Sequence, residues 1–177
     1  MYHSSAHKRS FPAGMVIPGQ RHRVSLLMSH FSVVPASYVF LRRDRSVLLQ
    51  RRQNTGYMDD CWSAGAAGHV EPGETAMSAA IREAREELGV QVALEALSAV
   101  AVMQRTDGTE NPLEQRVDWF FVCDVWGGEP LIGEPTKCAE LSWFRLHDLP
   151  VDLPAHERLA LDALREGRRS AVLTYGF

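Results

Sequence analysis

The chain has 177 residues, 45% of them apolar and 23% charged, and its 19 Lys plus Arg against 22 Asp plus Glu leave a net charge of −3. That is the length of one domain and the balance of a soluble globular protein, which excludes wholesale disorder. It also lacks the strongly basic footprint of a protein that holds nucleic acid in a stable complex. No apolar run approaches the ~18 residues of a membrane span. Cys61, Cys123 and Cys138 show no CxxC spacing, so a disulfide framework and a cysteine zinc site are disfavoured and a cytoplasmic location is expected.

Residues 1–30 mix Ser, His, Arg, Gly and Pro without a sustained period. They read as an N-terminal arm, flexible or vector-derived, ahead of a domain over 31–177. No uninterrupted apolar stretch follows Lys8 and Arg9, so a secretory signal fits poorly. Ser37–Leu41 and Val47–Leu49 are short apolar runs around a charged turn, Arg42 to Arg45, and read as a hairpin. Arg51 to Cys61, with Asn54-Thr55-Gly56 and Asp59-Asp60, reads as a loop. Ala64 to Val70 is small and Gly-rich, too permissive for an ordinary strand interior.

Thr75 to Leu88 carries apolar residues at Met77, Ile81, Ala84 and Leu88, one face of a helix, with Thr75 as N-cap and Gly89 as stop. Val90 to Met103 is expected to be a strand region and Arg105 to Gln115 a polar loop. Val117 to Val125 is the strongest strand, rich in β-branched and aromatic residues. Gly127-Gly128 and Gly133-Glu134-Pro135 bound a further loop, Leu141–Phe144 is a short strand, and Pro154 to Glu166 is a second helix with Leu159, Ala163 and Leu164 inward. Strands, helix, strands, helix point to an α/β fold with a mixed sheet flanked by helices.

The first helix is unusual on its polar side. Glu83, Glu86 and Glu87 lie at i, i+3 and i+4, so three carboxylates share one surface, roughly opposite the apolar stripe. A solvated acidic face is the ordinary reading of such a helix. Arg82 cannot neutralise three acids alone, however, and hard oxygen ligands at this density suit Mg²⁺ or Mn²⁺.

The residues in front of the helix decide between those readings. Gly68 is followed by five residues and Glu74, then seven residues and Arg82-Glu83, then Ala84, Arg85, Glu86-Glu87, Leu88, Gly89 and Val90. This stretch resembles the Nudix box at every fixed position. Ala84 alone departs, being smaller than the usual Ile, Leu or Val. The resemblance implies a Nudix-fold α/β/α sandwich that hydrolyses a nucleoside diphosphate linked to another group, by attack of water on phosphorus with Mg²⁺ or Mn²⁺ bound at the box.

Carried over by position, Glu83 and Glu87 are the principal metal ligands, and Glu86 binds metal or activates the water. Arg82 holds Glu86, Glu74 braces the loop and helix through Arg82, and a carbonyl of Ala67 or Gly68 completes the ligand set. In the downstream segment Glu134 is the loop acid expected to complete the site or act as base, with Glu140 second. The Ala67-Gly68-His69 form of the box entry also resembles isopentenyl-diphosphate isomerases, which share the fold, though the flanking Cys and His-Pro pattern of those isomerases is absent. A nucleotide-sensing domain without catalysis is the third reading. Arg51, Arg52 and Trp119 are expected to meet the substrate, the arginines at phosphates and the indole against a base. The expected partner is a small nucleotide-like diphosphate, with no membrane and with a homodimer left open.

Overall fold

The computed structural model describes residues 31–168 and 170–177; the expected arm, 1–30, lies outside them. Eight strands form one mixed sheet: β1 (Val34–Arg43), β2 (Ser46–Arg52), β3 (Trp62–Ala64), β4 (Ala66–His69), β5 (Leu97–Arg105), β6 (Arg116–Cys123), β7 (Cys138–Arg145) and β8 (Ala171–Tyr175). Two helices, α1 (Ala76–Leu88) and α2 (Ala155–Arg165), complete it. The order β3-β2-β1-β6-β5-β8 is joined by β4 on β1 and β7 on β2. β1 pairs in parallel with β6 and β5 with β8, while the remaining pairs are antiparallel.

β1 shows why both faces need a cover. Ala36, Tyr38 and Phe40 enter one core cluster, which includes Ala160 and Leu161 of α2. Val39 and Leu41 enter the other, with Ala80, Ala84 and Leu88 of α1. β6 alternates likewise, Phe120 and Val122 against Phe121 and Cys123. A strand buried on both faces reads as a continuous apolar run, and the sandwich follows from it. The α/β class and the sandwich architecture are those expected from the sequence.

β1 also divides its pairing along its length. Its end meets β2 at Arg42↔Val47 and Arg43↔Ser46. Its beginning meets β4, from Ala36↔His69 to Val39↔Ala66. The opening between β2 and β4 is where the site forms. Helix α1 packs on β4 and its ends are set by its caps: Thr75 accepts a hydrogen bond from Ser78 N, and Gly89 takes φ 68°.

Several boundaries differ from the sequence expectation. Arg51 and Arg52 close β2 and are not part of the following loop, because β7 and β3 both pair with β2 there. The small residues of 64–70 do form strands, β3 and β4, since neighbouring strands supply the ladder that propensity lacks. The strand expected from Val90 begins at Leu97, after an isolated bridge at Gln91 and a 3₁₀ turn, and it runs through Arg105. The Arg105–Gln115 loop contains a 3₁₀ turn, Pro112–Glu114. β7 is twice the length expected. Leu159 of α2 faces outward, while His156 and Glu157 are buried. β8 was not anticipated at all.

Candidate active site

Turning α1 toward β4 splits the three carboxylates. Glu87 is turned inward: it accepts hydrogen bonds from Ala67 N (2.9 Å) and Gln50 Nε2 (3.1 Å) through one oxygen. Glu83 lies against Gly68, where a Cβ would come within 1.9 Å of its Oε1. Glu86 points outward, its side chain 47% exposed. The three therefore do not share one solvated surface, as helical spacing alone suggested. Two of them face the box entry loop.

Arg82 ties this group together. Its Nε and Nη2 donate to Glu74 (3.0 Å each), Nη1 donates to Glu83 (2.5 Å) and Glu86 (3.2 Å), and Nη2 also donates to the His69 carbonyl (3.0 Å). The planar fork of an arginine suits this; an ammonium could not span four acceptors in fixed directions. Glu74 in turn accepts from Glu71 N (3.1 Å). The Arg82 hydrogen bond, and next that from Glu71 N, hold the Glu74 carboxyl below its ordinary range.

The acids themselves repel. Burial pushes Glu87 up to about 7, with Glu83 and Glu134 adding to the rise against the Ala67 hydrogen bond. Burial likewise raises Glu83, opposed by Arg82 and supported by Glu86 and Glu134. Glu134 thus shares the field of the box acids, while Lys137 Nζ donates to both its oxygens (3.0 and 2.9 Å). The loop carrying Glu134 is pinned to α1 through Leu131 N–Leu88 O (3.0 Å) and Gly133 N–Glu87 O (2.8 Å), and to the residue after β2 through Gln53 N–Lys137 O (2.8 Å). Glu140 lies on β7, exposed, and accepts from Ser142 Oγ (2.9 Å).

Among the described residues no three His, Cys, Asp or Glu side chains stand ready as a cation cage, and Arg82 occupies the space between Glu83 and Glu86. The donor chemistry still fits a hard divalent ion. The oxygens are all carboxylates or backbone carbonyls, their mutual repulsion lacks full compensation, and Gly68 leaves room where any side chain would displace Glu83.

A cavity of about 440 Å³ opens on the other side of β4, within the range of small-molecule sites, roughly 300–1,000 Å³. Ala67 and Gly68 belong to its wall and also touch Glu87 and Glu83. Arg52 lines it too, its guanidinium held by the Tyr57 carbonyl (3.1 Å) and Thr55 Oγ1 (3.0 Å). Arg51 and Trp119 are not in its wall. Trp119 packs on the α1 side of the sheet, because β6 turns Phe120, not Trp119, toward the α2 core. The half-buried indole packs against the α1-side core and is not placed to meet a ligand in this cavity.

Sequence reasoning missed the polar groups of this cavity: Tyr38, Ser63, Arg105, Arg116, His156 and Glu157 line it, with Asp118 behind. Arg105 Nε donates to Asp118 Oδ2 (2.5 Å), and Arg116 Nε is 3.5 Å from Asp118 Oδ1. Signals existed. Asp118 is a charge inside the most apolar strand, and Glu157 falls on the same stripe of α2 as Ala160 and Leu161; buried charges need partners.

The NUDIX domain family model matches residues 33–164. An isopentenyl-diphosphate Delta-isomerase of Cereibacter sphaeroides is 33% identical, covering 67% of this chain and 67% of its own length. An ADP-ribose pyrophosphatase of Methanocaldococcus jannaschii is 32% identical over 71% of this chain and 69% of its own. Among solved structures, a MutT NUDIX hydrolase from Burkholderia pseudomallei superposes with a TM-score of 0.67 at 28% identity, covering 75% of this chain and 98% of that one.

Proposed function

The chain belongs to the NUDIX family of hydrolases, and from that premise we propose that it cleaves the phosphoanhydride of a nucleoside diphosphate linked to a further group. One observation carries the reading: Ala67 and Gly68 form part of the cavity wall while bonding or abutting Glu87 and Glu83. A substrate with one end seated in the cavity would extend its anhydride past Ala67 and Gly68 toward the box acids. Glu83, Glu86 and Glu87, with a carbonyl of Ala67 or Gly68, would hold Mg²⁺ or Mn²⁺, which supplies charge neutralisation at phosphate oxygens.

The chain's own residues supply the rest. A water oxygen bonds to phosphorus as the bridging P–O bond breaks, and the bridging oxygen leaves with its electron pair on the departing phosphate. Glu86, half-exposed, or Glu134, across the site, takes the water's proton on a carboxylate oxygen. Arg82 and Glu74 are positioning residues that fix α1 against the box loop. Gln50 and the Ala67 amide orient the Glu87 carboxyl, and Arg52 at the cavity wall is available to substrate phosphate.

Formation of the two phosphate-bearing cleavage products with Mg²⁺, read by mass spectrometry over ADP-ribose, canonical and oxidised nucleotides, dinucleoside polyphosphates and nucleotide sugars, tests this reading. Glu86→Gln is expected to lower kcat at least about a hundredfold with folding intact. Glu95→Gln, exposed in the 3₁₀ turn Leu94–Ala96, is the control. Mg²⁺ should also raise the thermal midpoint of the parent more than that of a Glu83→Gln, Glu87→Gln double variant. Isopentenyl diphosphate belongs in the panel, because the 33% identical relative bears an isomerase name. Isomerisation without anhydride cleavage would replace this reading. Tight nucleotide binding with no turnover in parent or variants would mean a sensing domain.

A further inference from the structure

Within this hydrolase reading, the cavity holds polar groups that cleavage of the anhydride does not use. β3 and the first turn of α2 bring Ser63 and Glu157 together: Ala64 N donates to Glu157 Oε2 (2.6 Å), setting the carboxyl one residue from Ser63. Both side chains are buried, Ser63 at 2% and Glu157 at 3% exposure, and both line the cavity. Ser63 Oγ has no hydrogen-bond partner among the described residues. Glu157 Oε1 is 3.9 Å from His156 Nε2, beyond hydrogen-bond reach. Buried polar atoms are nearly always satisfied, and each left unpaired costs about 1–3 kcal/mol. The unpaired Ser63 hydroxyl, beside a buried carboxyl with one oxygen engaged by Ala64 N, points to something that enters the cavity.

The groups around them set the character of that ligand. Arg105 is engaged by Asp118, Arg116 stands beside the same carboxylate, and Arg52 is held by the Thr55–Tyr57 loop. Arg105 and Arg52 are thereby committed, whereas Arg116 Nε makes no hydrogen bond among the described residues. Burial pushes Glu157 up to about 8, against the Ala64 hydrogen bond and the pull of Arg52 and Arg105, and with Asp118 adding to the rise. Burial, then Arg105 and Arg116, push His156 down to about 3. Burial, with Asp118 and Glu157, raises the Tyr38 phenol. Near neutral pH Ser63, Tyr38 and Glu157 all present uncharged O–H groups. The remaining wall includes Val34, Ala36, Tyr57 and Met58.

We propose that Ser63 and Glu157 are specificity-determining residues that read the uncharged hydrogen-bonding edge of a nucleobase-like planar ring, the part of the substrate remote from the diphosphate. Glu157 Oε1 donates its proton to a ring carbonyl or ring nitrogen, and Ser63 Oγ accepts from a neighbouring ring N–H. A diphosphate without a ring leaves both unpaired. Discrimination then comes from the penalty of unsatisfied buried groups.

Calorimetric titration with the α,β-methylene analogues of ADP, GDP, CDP and UDP, Mg²⁺ present, measures this without turnover, and methylenediphosphonate is the ringless probe. The parent should bind one base at least about tenfold more tightly than the weakest of the four and than the ringless probe, the worth of about one hydrogen bond. Ser63→Ala should reduce that spread to within about threefold with a thermal midpoint no lower than the parent's. Glu157→Gln keeps an acceptor for Ala64 N and a donor for the ring, so it should preserve the spread. It should also preserve it at about pH 9.5, where the parent, above its carboxyl pKa of about 8, loses it. No binding by the parent, equal affinity for all probes, or a spread that Ser63→Ala leaves untouched would overturn the proposal. Anhydride cleavage, read by product mass, decides the hydrolase reading separately: turnover without base selectivity sinks only this inference, and base selectivity without turnover sinks only hydrolysis.

Discussion

At Gly68 a methyl group would sit 1.9 Å from Glu83 Oε1 and 2.3 Å from its Cδ. The obstructing atoms are the far end of a flexible side chain, so the backbone need not move. The carboxylate would swing away, leaving Arg82 Nη1 and the cavity edge. Gly68→Ala should therefore fold with a thermal midpoint within roughly 2–4 °C of the parent, the shift of about 1 kcal/mol or less, yet lose at least about tenfold in kcat. Equal kcat on a confirmed substrate would remove Glu83 from the machinery. The glycine is required here by contact and not by backbone angle, because it is absent from the positive-φ positions.

At the scale of elements, α1 and the Glu134 loop depend on one another. Thr75 caps the first turn by accepting from Ser78 N (3.1 Å), and Thr75→Ala should cost about 1 kcal/mol in urea unfolding. The loop is fixed to the other end of the helix, where Gly133 N donates to the Glu87 carbonyl (2.8 Å). A Cβ on Gly133 would meet the Glu86 carbonyl oxygen at 2.1 Å. That atom is backbone and cannot swing aside. Gly133→Ala should thus destabilise more than Thr75→Ala and also lower turnover, since the loop moves Glu134 away from Glu83 and Glu87. A Gly133→Ala protein with parental turnover would show that Glu134 is dispensable.

For the whole molecule, Glu157 and His156 give opposite pH dependences. The Glu157 carboxyl, raised to about 8 when folded and about 4.3 when unfolded, keeps its proton in the native state across that window. Unfolding releases the proton, so stability falls as pH rises from about 4.3 to about 8, by up to about 1.4 kcal/mol per pH unit. His156, lowered to about 3 against about 6.5 unfolded, gains a proton on unfolding between those values and costs stability as pH falls through them. Between about 6.5 and 8 only the first of this pair changes. The stability lost across that interval should be smaller in Glu157→Gln than in the parent, as read by urea midpoints at its two ends. The same loss in both would place the folded pKa of Glu157 below about 6.5.

The sequence alone determined the sandwich class, the α1 helix with its Thr75 cap and Gly89 stop, and the family. Each depends on local spacing: helical period, cap chemistry, and glutamates and glycines at set intervals along 23 residues from Gly68 to Val90. It did not determine which way those glutamates face. Helical spacing gave Glu83, Glu86 and Glu87 one common surface, but rotation of α1 against β4 turned Glu87 and Glu83 inward and left Glu86 outside. Nor did it reveal the cavity, whose wall gathers Tyr38, Arg52, Ser63, Arg105 and Glu157 from β1, β2, β3, β5 and α2. β8 and the true span of β5 were equally hidden, because their pairing partners are distant in the chain. Local patterns are written in one segment, whereas burial and partnership depend on which segments the sheet brings together, and only the tertiary structure decides that.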